Sequence, residues 1–262
     1  MAGRETADIV FCMDASGSMA AAFDGVRDNV IKMLESIKGG GLQQRNWDVR
    51  FDFLAYSNSS GLMRLHTLRA DGDRVVKALY GGGPNGGRSD GSFFTSDLRE
   101  FRDRLKSVRI EGDEGSMYAL DIAADFPFRD ASTCHRVVVF MTDETIAEGV
   151  DAALAKARVM DVARKYQDRR IALYMITPQC DVFDTLSQTD RCEWTVDSSR
   201  GLESLDFSKT LECIGKSVSV SQTAKAAGAD GPCPLFEEKR WRQSGFSPDY
   251  VNVVTSGRGE AL

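Results

Sequence analysis

The residues of this sequence best suited to chemistry are an aspartate and two serines at alternate positions, Asp14, Ser16 and Ser18, in the segment DASGS. They directly follow the apolar run IVFCM at 9–13, which is typical of a strand buried on both faces. A chain that turns out of such a strand can direct one carboxylate and two hydroxyls at a common point. Because Mg²⁺ and Mn²⁺ prefer such hard oxygen donors, the segment predicts a divalent-cation site at the carboxyl end of the first strand.

A second apolar run, VVVFM at 137–141, ends in a similar way, with Thr142 and Asp143. The carboxyl ends of parallel strands lie at one edge of a sheet, and ligands of open α/β sheets bind there, where the winding direction reverses. We therefore expect Asp143 to supply a second carboxylate to the same site. DASGS also has a structural interpretation, because Asp, Ser and Gly occur in any strand-to-helix turn, but its pairing with a strand that ends in Thr-Asp favours metal binding.

The elements that must position these residues follow an alternating pattern. Apolar strands alternate with amphipathic helices from about residue 4 to residue 220, which predicts parallel strands joined by right-handed crossovers. The predicted fold is a doubly wound α/β domain with a mostly parallel central sheet and helices on both faces. The shorter, more polar strand LMRLHTL at 62–68 suits a sheet edge. A helix over 95–108 is expected to begin at a cap formed by Thr95 or Ser96.

Two of these segments resemble the von Willebrand factor A domain: DASGS matches its DxSxS signature, and VVVFMTDE at 137–144 is similar to its fourth-strand tip. The order of elements agrees over residues 4–220, the expected extent of the domain. The resemblance implies a Rossmann-like fold with one antiparallel edge strand. It also implies a metal ion-dependent adhesion site for Mg²⁺ or Mn²⁺, with these ligands on the first and fourth strand tips: Asp14, Ser16, Ser18 and Asp143.

The third loop of the site departs from the family pattern. Where the family commonly has Gly-Gly-Thr, this chain has EGDEGS at 111–116. By its position before a predicted helix, Ser116 takes the place of the threonine hydroxyl, and Asp113 and Glu114 are the alternatives. A carboxylate at this point would make the site more negative and weaken its demand for an acidic partner.

Charge and cysteine content narrow the classes of partner and the compartment. The net charge of −6 argues against a general affinity for nucleic acid or for an anionic membrane. The opening residues lack an apolar segment behind a positive start, which is typical of a protein that is not exported. Six cysteines without metal-site spacing indicate reduced thiols, with a Cys180–Cys192 disulfide as the alternative. We therefore expect a cytoplasmic protein that has neither a nucleic-acid nor a membrane partner.

The resemblance implies a binding module and not an enzyme. In such a module the metal binds the Asp or Glu side chain of a partner protein. A reduced setting favours the intracellular bacterial members of the family, adaptors in stress, chaperone-ATPase or defence systems whose partners are AAA ATPases or kinases and phosphatases. The alternative is a metal-dependent phosphoester hydrolase that uses the same strand tips, but no general base or nucleophile accompanies them.

We expect residues 221–262 to form a C-terminal extension, which either packs back on the domain or docks a partner.

Overall fold

The computed structural model describes residues 5–36, 47–59, 62–80, 93–146, 150–189 and 192–196. Within these ranges a central sheet carries helices on both faces, which is the α/β architecture predicted from the sequence. The last part of the predicted domain, 197–220, and the predicted C-terminal extension at 221–262 lie outside the described residues.

The sheet is mostly parallel and has six strands, in the order β3-β2-β1-β4-β5-β6. Only β3 runs antiparallel to its neighbour β2, and it lies at one edge, so the predicted antiparallel edge strand is confirmed. The strands are β1 Glu5–Asp14, β2 Trp47–Ser59, β3 Leu62–Thr67, β4 His135–Met141, β5 Ile171–Thr177 and β6 Cys192–Val196.

The described helices connect these strands. They are α1 Phe23–Ser36, α2 Asp73–Tyr80, α3 Leu98–Leu105, α4 Ser116–Ala123, α5 Val150–Asp168 and α6 Asp181–Ser187, with a short 3₁₀ turn at Ser18–Ala21. The sequence patterns did not predict α2. The expected cap of α3 is also wrong: the Asp97 side chain accepts from the Arg99 amide, because the backbone of Thr95 is extended and pairs with Phe51.

The continuous apolar run of β1 reflects burial on both of its faces. Phe11 and Met13 face the layer that contains α1 and α3, where the rings of Phe11 and Phe101 meet edge to face with centroids 5.9 Å apart. Val10 and Cys12 face the opposite layer, which includes α4 and α5. A strand covered on both sides needs apolar residues at consecutive positions, and so no alternation is visible in the sequence.

The strand order places the tips of β1 and β4 at the switch point of the sheet. The chain moves from β1 outward through β2 to β3, and it then returns to the other side of β1 with β4. The helices that follow these strands, α1 and α5, pack on opposite faces of the sheet, and open α/β sheets typically bind their ligands at such a switch point. Asp14 ends β1 and Thr142 follows β4, so the residues singled out by sequence lie at this switch point.

Two further expectations concern the cysteines and the membrane. The four described cysteines, Cys12, Cys134, Cys180 and Cys192, form no disulfide with one another, so the alternative of a Cys180–Cys192 disulfide is wrong. Across the ranges described above, no helix combines the length and the apolar character needed to cross a membrane.

Candidate metal site

The centre of the candidate site is the carboxylate of Asp14, which is completely buried at the end of β1. The Ser16 amide donates to Asp14 Oδ1 at 2.8 Å, and the Thr142 hydroxyl donates to Oδ2 at 2.6 Å. Both oxygens are thus oriented by neutral donors from the two strand tips. The Ser16 hydroxyl is a third donor to this carboxylate, and since a carboxylate offers about four acceptor positions, one remains for a cation.

The two serines connect this carboxylate to the second one. The Ser16 and Ser18 hydroxyl oxygens lie 2.9 Å apart, and the Ser18 hydroxyl donates to Asp143 Oδ1 at 3.0 Å. Ser16 is fully buried and Ser18 is exposed, so the group extends from the interior to the surface. The structure therefore brings together four of the predicted ligands, Asp14, Ser16, Ser18 and Asp143.

A backbone clamp holds the third loop beside the first. The Gly17 amide donates to the Gly112 carbonyl at 2.8 Å, and the Glu111 amide donates to the Ala15 carbonyl at 3.0 Å. Gly112 has a φ of +89°, and a Cβ at this position would lie 2.2 Å from the Asn58 carbonyl oxygen. Only glycine suits such a conformation and such a close approach. This residue therefore allows the third loop to pack closely against the end of β2.

The three third-loop candidates have different environments. Ser116 begins α4 and is buried, and its hydroxyl oxygen lies 3.1 Å from the Tyr56 hydroxyl. Asp113 is exposed, and its backbone pairs with Asn58 through bonds of 2.6 and 2.7 Å. The carboxyl of Glu114 is partly buried and hydrogen-bonded to Glu144. The structure thus places Ser116 next to the site and bonds its hydroxyl to a tyrosine.

Negative charge is concentrated at this end of the sheet. Burial raises the pKa of Asp14 to about 6, and the negative charge of Asp143 raises it further. The hydrogen bonds from Thr142 and Ser16 lower this pKa, but they do not outweigh burial. Burial and the hydrogen bond with Glu144 raise the pKa of Glu114 to about 7. Within the described part of the chain, no basic side chain pairs with Asp14.

The donors suit a hard divalent cation. Carboxylate and hydroxyl oxygens are the ligands that Mg²⁺ and Mn²⁺ take in proteins. In the ranges that the structure describes, no three His, Cys, Asp or Glu side chains converge as a metal-binding group. The fit to a metal therefore depends on the mixed set of two carboxylates and two serine hydroxyls at the tips of β1 and β4.

Some residues of the site were missed by reasoning from sequence. Tyr56 is directly opposite Asp14 in the register of β1 and β2, but only the strand order reveals this neighbour. Glu144 is adjacent to a predicted ligand, yet its contact with Glu114 depends on the third loop. The signal for Gly112 was available, since a glycine between two acidic residues is typical of a turn that needs a positive φ.

Sequence comparison matches no family model and no curated protein. The structure resembles the pilus adhesin SpaC of Lactobacillus rhamnosus GG, with a TM-score of 0.51 and 16% identity over 84% of this chain and 31% of the adhesin. It also resembles proximal thread matrix protein 1 from the mussel byssus, with a TM-score of 0.51 and 13% identity over 82% of this chain and 48% of that protein. The chain thus spans about a third to a half of these proteins, and the likeness shows a shared fold alone.

Proposed function

We propose that this protein is a binding module of the von Willebrand factor A type, which holds Mg²⁺ or Mn²⁺ through Asp14, Ser16, Ser18 and Asp143 and uses it to bind a partner protein. The observation that carries the proposal is the buried Asp14 carboxylate, whose donors are all neutral and which has an acidic neighbour in Asp143. A buried charge without a counterion is costly. A divalent cation at the strand tips would supply the missing positive charge.

The residues divide into a buried half and an accessible half. Asp14 and Ser16 form the buried half, and Ser18 and Asp143 lie toward the surface. A bound cation would offer a coordination position to an oxygen of the partner, and we propose an Asp or Glu side chain as its source. Because Glu114 and its neighbour Glu144 contribute further negative charge beside the site, an acidic partner would be repelled unless the cation is present.

The proposed setting is an intracellular bacterial adaptor that binds an AAA ATPase or a kinase or phosphatase. The described cysteines form no disulfide with one another, which supports a reducing compartment. The adhesin and matrix protein that share the fold do not bear on this choice, because their identity to the chain is low. Surface loops, and not the metal, would decide which partner is recognised.

Thermal denaturation during a Mg²⁺ titration tests metal binding directly. We expect magnesium to stabilise the wild-type protein by about 2.7 kcal/mol at 100 times its dissociation constant. The isosteric variant Asp14→Asn should remain folded and lose this response. Asp161→Asn is the matched control, since its side chain is 75% exposed on α5 and its loss should leave the response intact. A wild-type protein that ignores both Mg²⁺ and Mn²⁺ would show that the proposal is wrong.

Capture by immobilised peptides tests the partner chemistry. An Asp-containing peptide should retain the wild-type protein in Mg²⁺ and release it in EDTA, whereas the matched Asn peptide should retain neither wild type nor Asp14→Asn. Equal retention by both peptides would contradict recognition of a carboxylate. Turnover of a generic phosphoester that is lost in Asp14→Asn would instead favour the hydrolase.

A further inference from the structure

A chain of buried hydroxyls leads from α4 to the carboxylate at the centre of the site. Tyr56 is fully buried on β2, and its hydroxyl lies 3.1 Å from the Ser116 hydroxyl oxygen. The Tyr56 hydroxyl also interacts with the side chain of Thr142 at the tip of β4. Thr142 in turn donates to Asp14 Oδ2 at 2.6 Å. Three hydroxyl groups from three different elements thus end at one oxygen of Asp14.

The direction of these bonds follows from the number of protons. A carboxylate only accepts, so the single hydroxyl proton of Thr142 is used on Asp14. Thr142 must then accept from Tyr56, and Tyr56 must accept from Ser116. All three hydroxyl dipoles therefore point their positive ends toward Asp14, and bonds aligned in this way strengthen one another.

We infer that Tyr56 is a positioning residue of the metal site, whose hydroxyl links Ser116 to Thr142 and thereby holds the Asp14 carboxylate in one orientation. The inference rests on the proposed function and deepens it, because it gives Ser116 an indirect role in place of direct coordination. It also couples the start of α4 to the tip of β1. Groups that orient a metal ligand in this way typically change metal affinity 10- to 100-fold when they are removed.

The test compares two buried tyrosines that each lose only a hydroxyl. In Tyr56→Phe the ring remains stacked on Phe140, so the core is retained. We expect the Mg²⁺ concentration at half-maximal stabilisation to rise about 10-fold. Tyr166→Phe is the matched control: Tyr166 is equally buried, but its hydroxyl donates to the Leu120 carbonyl at 3.0 Å. This control should lose stability in EDTA and keep the wild-type magnesium midpoint.

Ser116→Ala tests the other end of the series of hydroxyl groups. It is the decisive variant if Tyr56→Phe does not fold. We expect its magnesium midpoint to rise about threefold, the effect of one neutral hydrogen bond. The double variant Tyr56→Phe/Ser116→Ala should have the same magnesium midpoint as Tyr56→Phe, because the loss of the Tyr56 hydroxyl already separates Ser116 from Thr142. Complete loss of the response in Ser116→Ala would identify direct coordination and overturn the inference.

The two proposals fail in different ways. If the wild-type protein shows no response to magnesium, the proposed metal site is wrong. If the wild type responds and Tyr56→Phe and Ser116→Ala both keep its midpoint, the metal site stands and the positioning role of Tyr56 is wrong.

Discussion

Strand β1 carries a buried aspartate near each end, and the two differ in how their charge is compensated. Both Asp8 and Asp14 are completely buried. Asp8 lies at the amino-terminal end of the strand, where Arg50 donates to both of its oxygens at 2.9 and 2.8 Å. Arg129 adds its backbone amide at 2.7 Å and its Nε at 2.9 Å. At this end the chain itself supplies the counter-charge.

The carboxyl-terminal end of β1 has the opposite character. The donors to Asp14 are neutral, and Asp143 adds negative charge nearby. The pKa values differ accordingly: the bonds from Arg50 and Arg129 outweigh burial and lower that of Asp8, whereas burial raises that of Asp14. The comparison teaches that burial alone does not define a binding site. A site is indicated where a buried charge lacks the counterion that the fold supplies elsewhere.

The largest effect should come from Asp8→Asn. Removal of the carboxylate leaves two guanidinium groups without their shared partner, and we expect a loss of about 3 kcal/mol in the free energy of unfolding at pH 7. Because the folded pKa of Asp8 is lowered, its stabilisation is present above the unfolded pKa and is lost as the pH falls through the folded pKa. Urea denaturation at pH 7 and at pH 3 should therefore show a difference between variant and wild type that shrinks in acid.

The magnesium midpoint of Asp8→Asn should equal that of the wild type, because the substitution lies at the opposite end of the strand. A folded Asp8→Asn that no longer responds to magnesium would remove the contrast between the two ends.

Gly112→Ala should have the next largest effect and lower the free energy of unfolding by about 2 kcal/mol. The causes are the strained positive φ and the collision of the new Cβ with Asn58. The clamp between the first and third loops should loosen, so amide exchange of Gly17 should accelerate. Gly72→Ala is the control, since Gly72 also has a positive φ but its Cβ would meet no atom within 4 Å. Equal losses in both variants would show that the strained φ matters and that the close approach of Gly112 to Asn58 does not.

Asp14→Asn should have a smaller effect on the metal-free protein, in contrast to Asp8→Asn. Asparagine removes a buried charge that no basic group in the described part of the chain compensates, so we expect unchanged stability in EDTA or a gain of up to about 2 kcal/mol. Chemical denaturation in EDTA at pH 7 measures this. A loss as large as that of Asp8→Asn would mean that the two ends of β1 are compensated alike.

Asp52→Asn extends the comparison to a third buried aspartate. This variant should change the free energy of unfolding least, by about 1 kcal/mol. Asp52 Oδ1 accepts from the amides of Phe53 and Leu68, and its Oδ2 has no partner in the described structure. Burial raises the folded pKa of Asp52, so wild-type stability should fall as the pH rises above the unfolded pKa. The variant should lack this slope and be the more stable protein at pH 8. Parallel pH profiles for the two proteins would contradict the assignment.

The sequence by itself determined most of the elements and predicted the place of the candidate site. Apolar runs that end in DASGS and TDE identify two strand tips, and the rules for parallel sheets place such tips at one edge. These inferences depend on local periodicity and turn chemistry, which neighbouring residues specify. The helix α2 was not predicted, although α3 and α4, which have the same length, were.

Only the tertiary structure decided what surrounds each charge. In the sequence Asp8 and Asp14 look alike, since each borders the same apolar run. The arginines that neutralise Asp8 lie 42 and 121 residues away, and the threonine that binds Asp14 lies 128 residues away. Charge compensation acts through space, in a register that no local pattern records. For this reason the sequence predicted the candidate ligands, and the fold alone revealed that no basic side chain among the described residues pairs with Asp14 and that Tyr56 lies opposite it in the sheet.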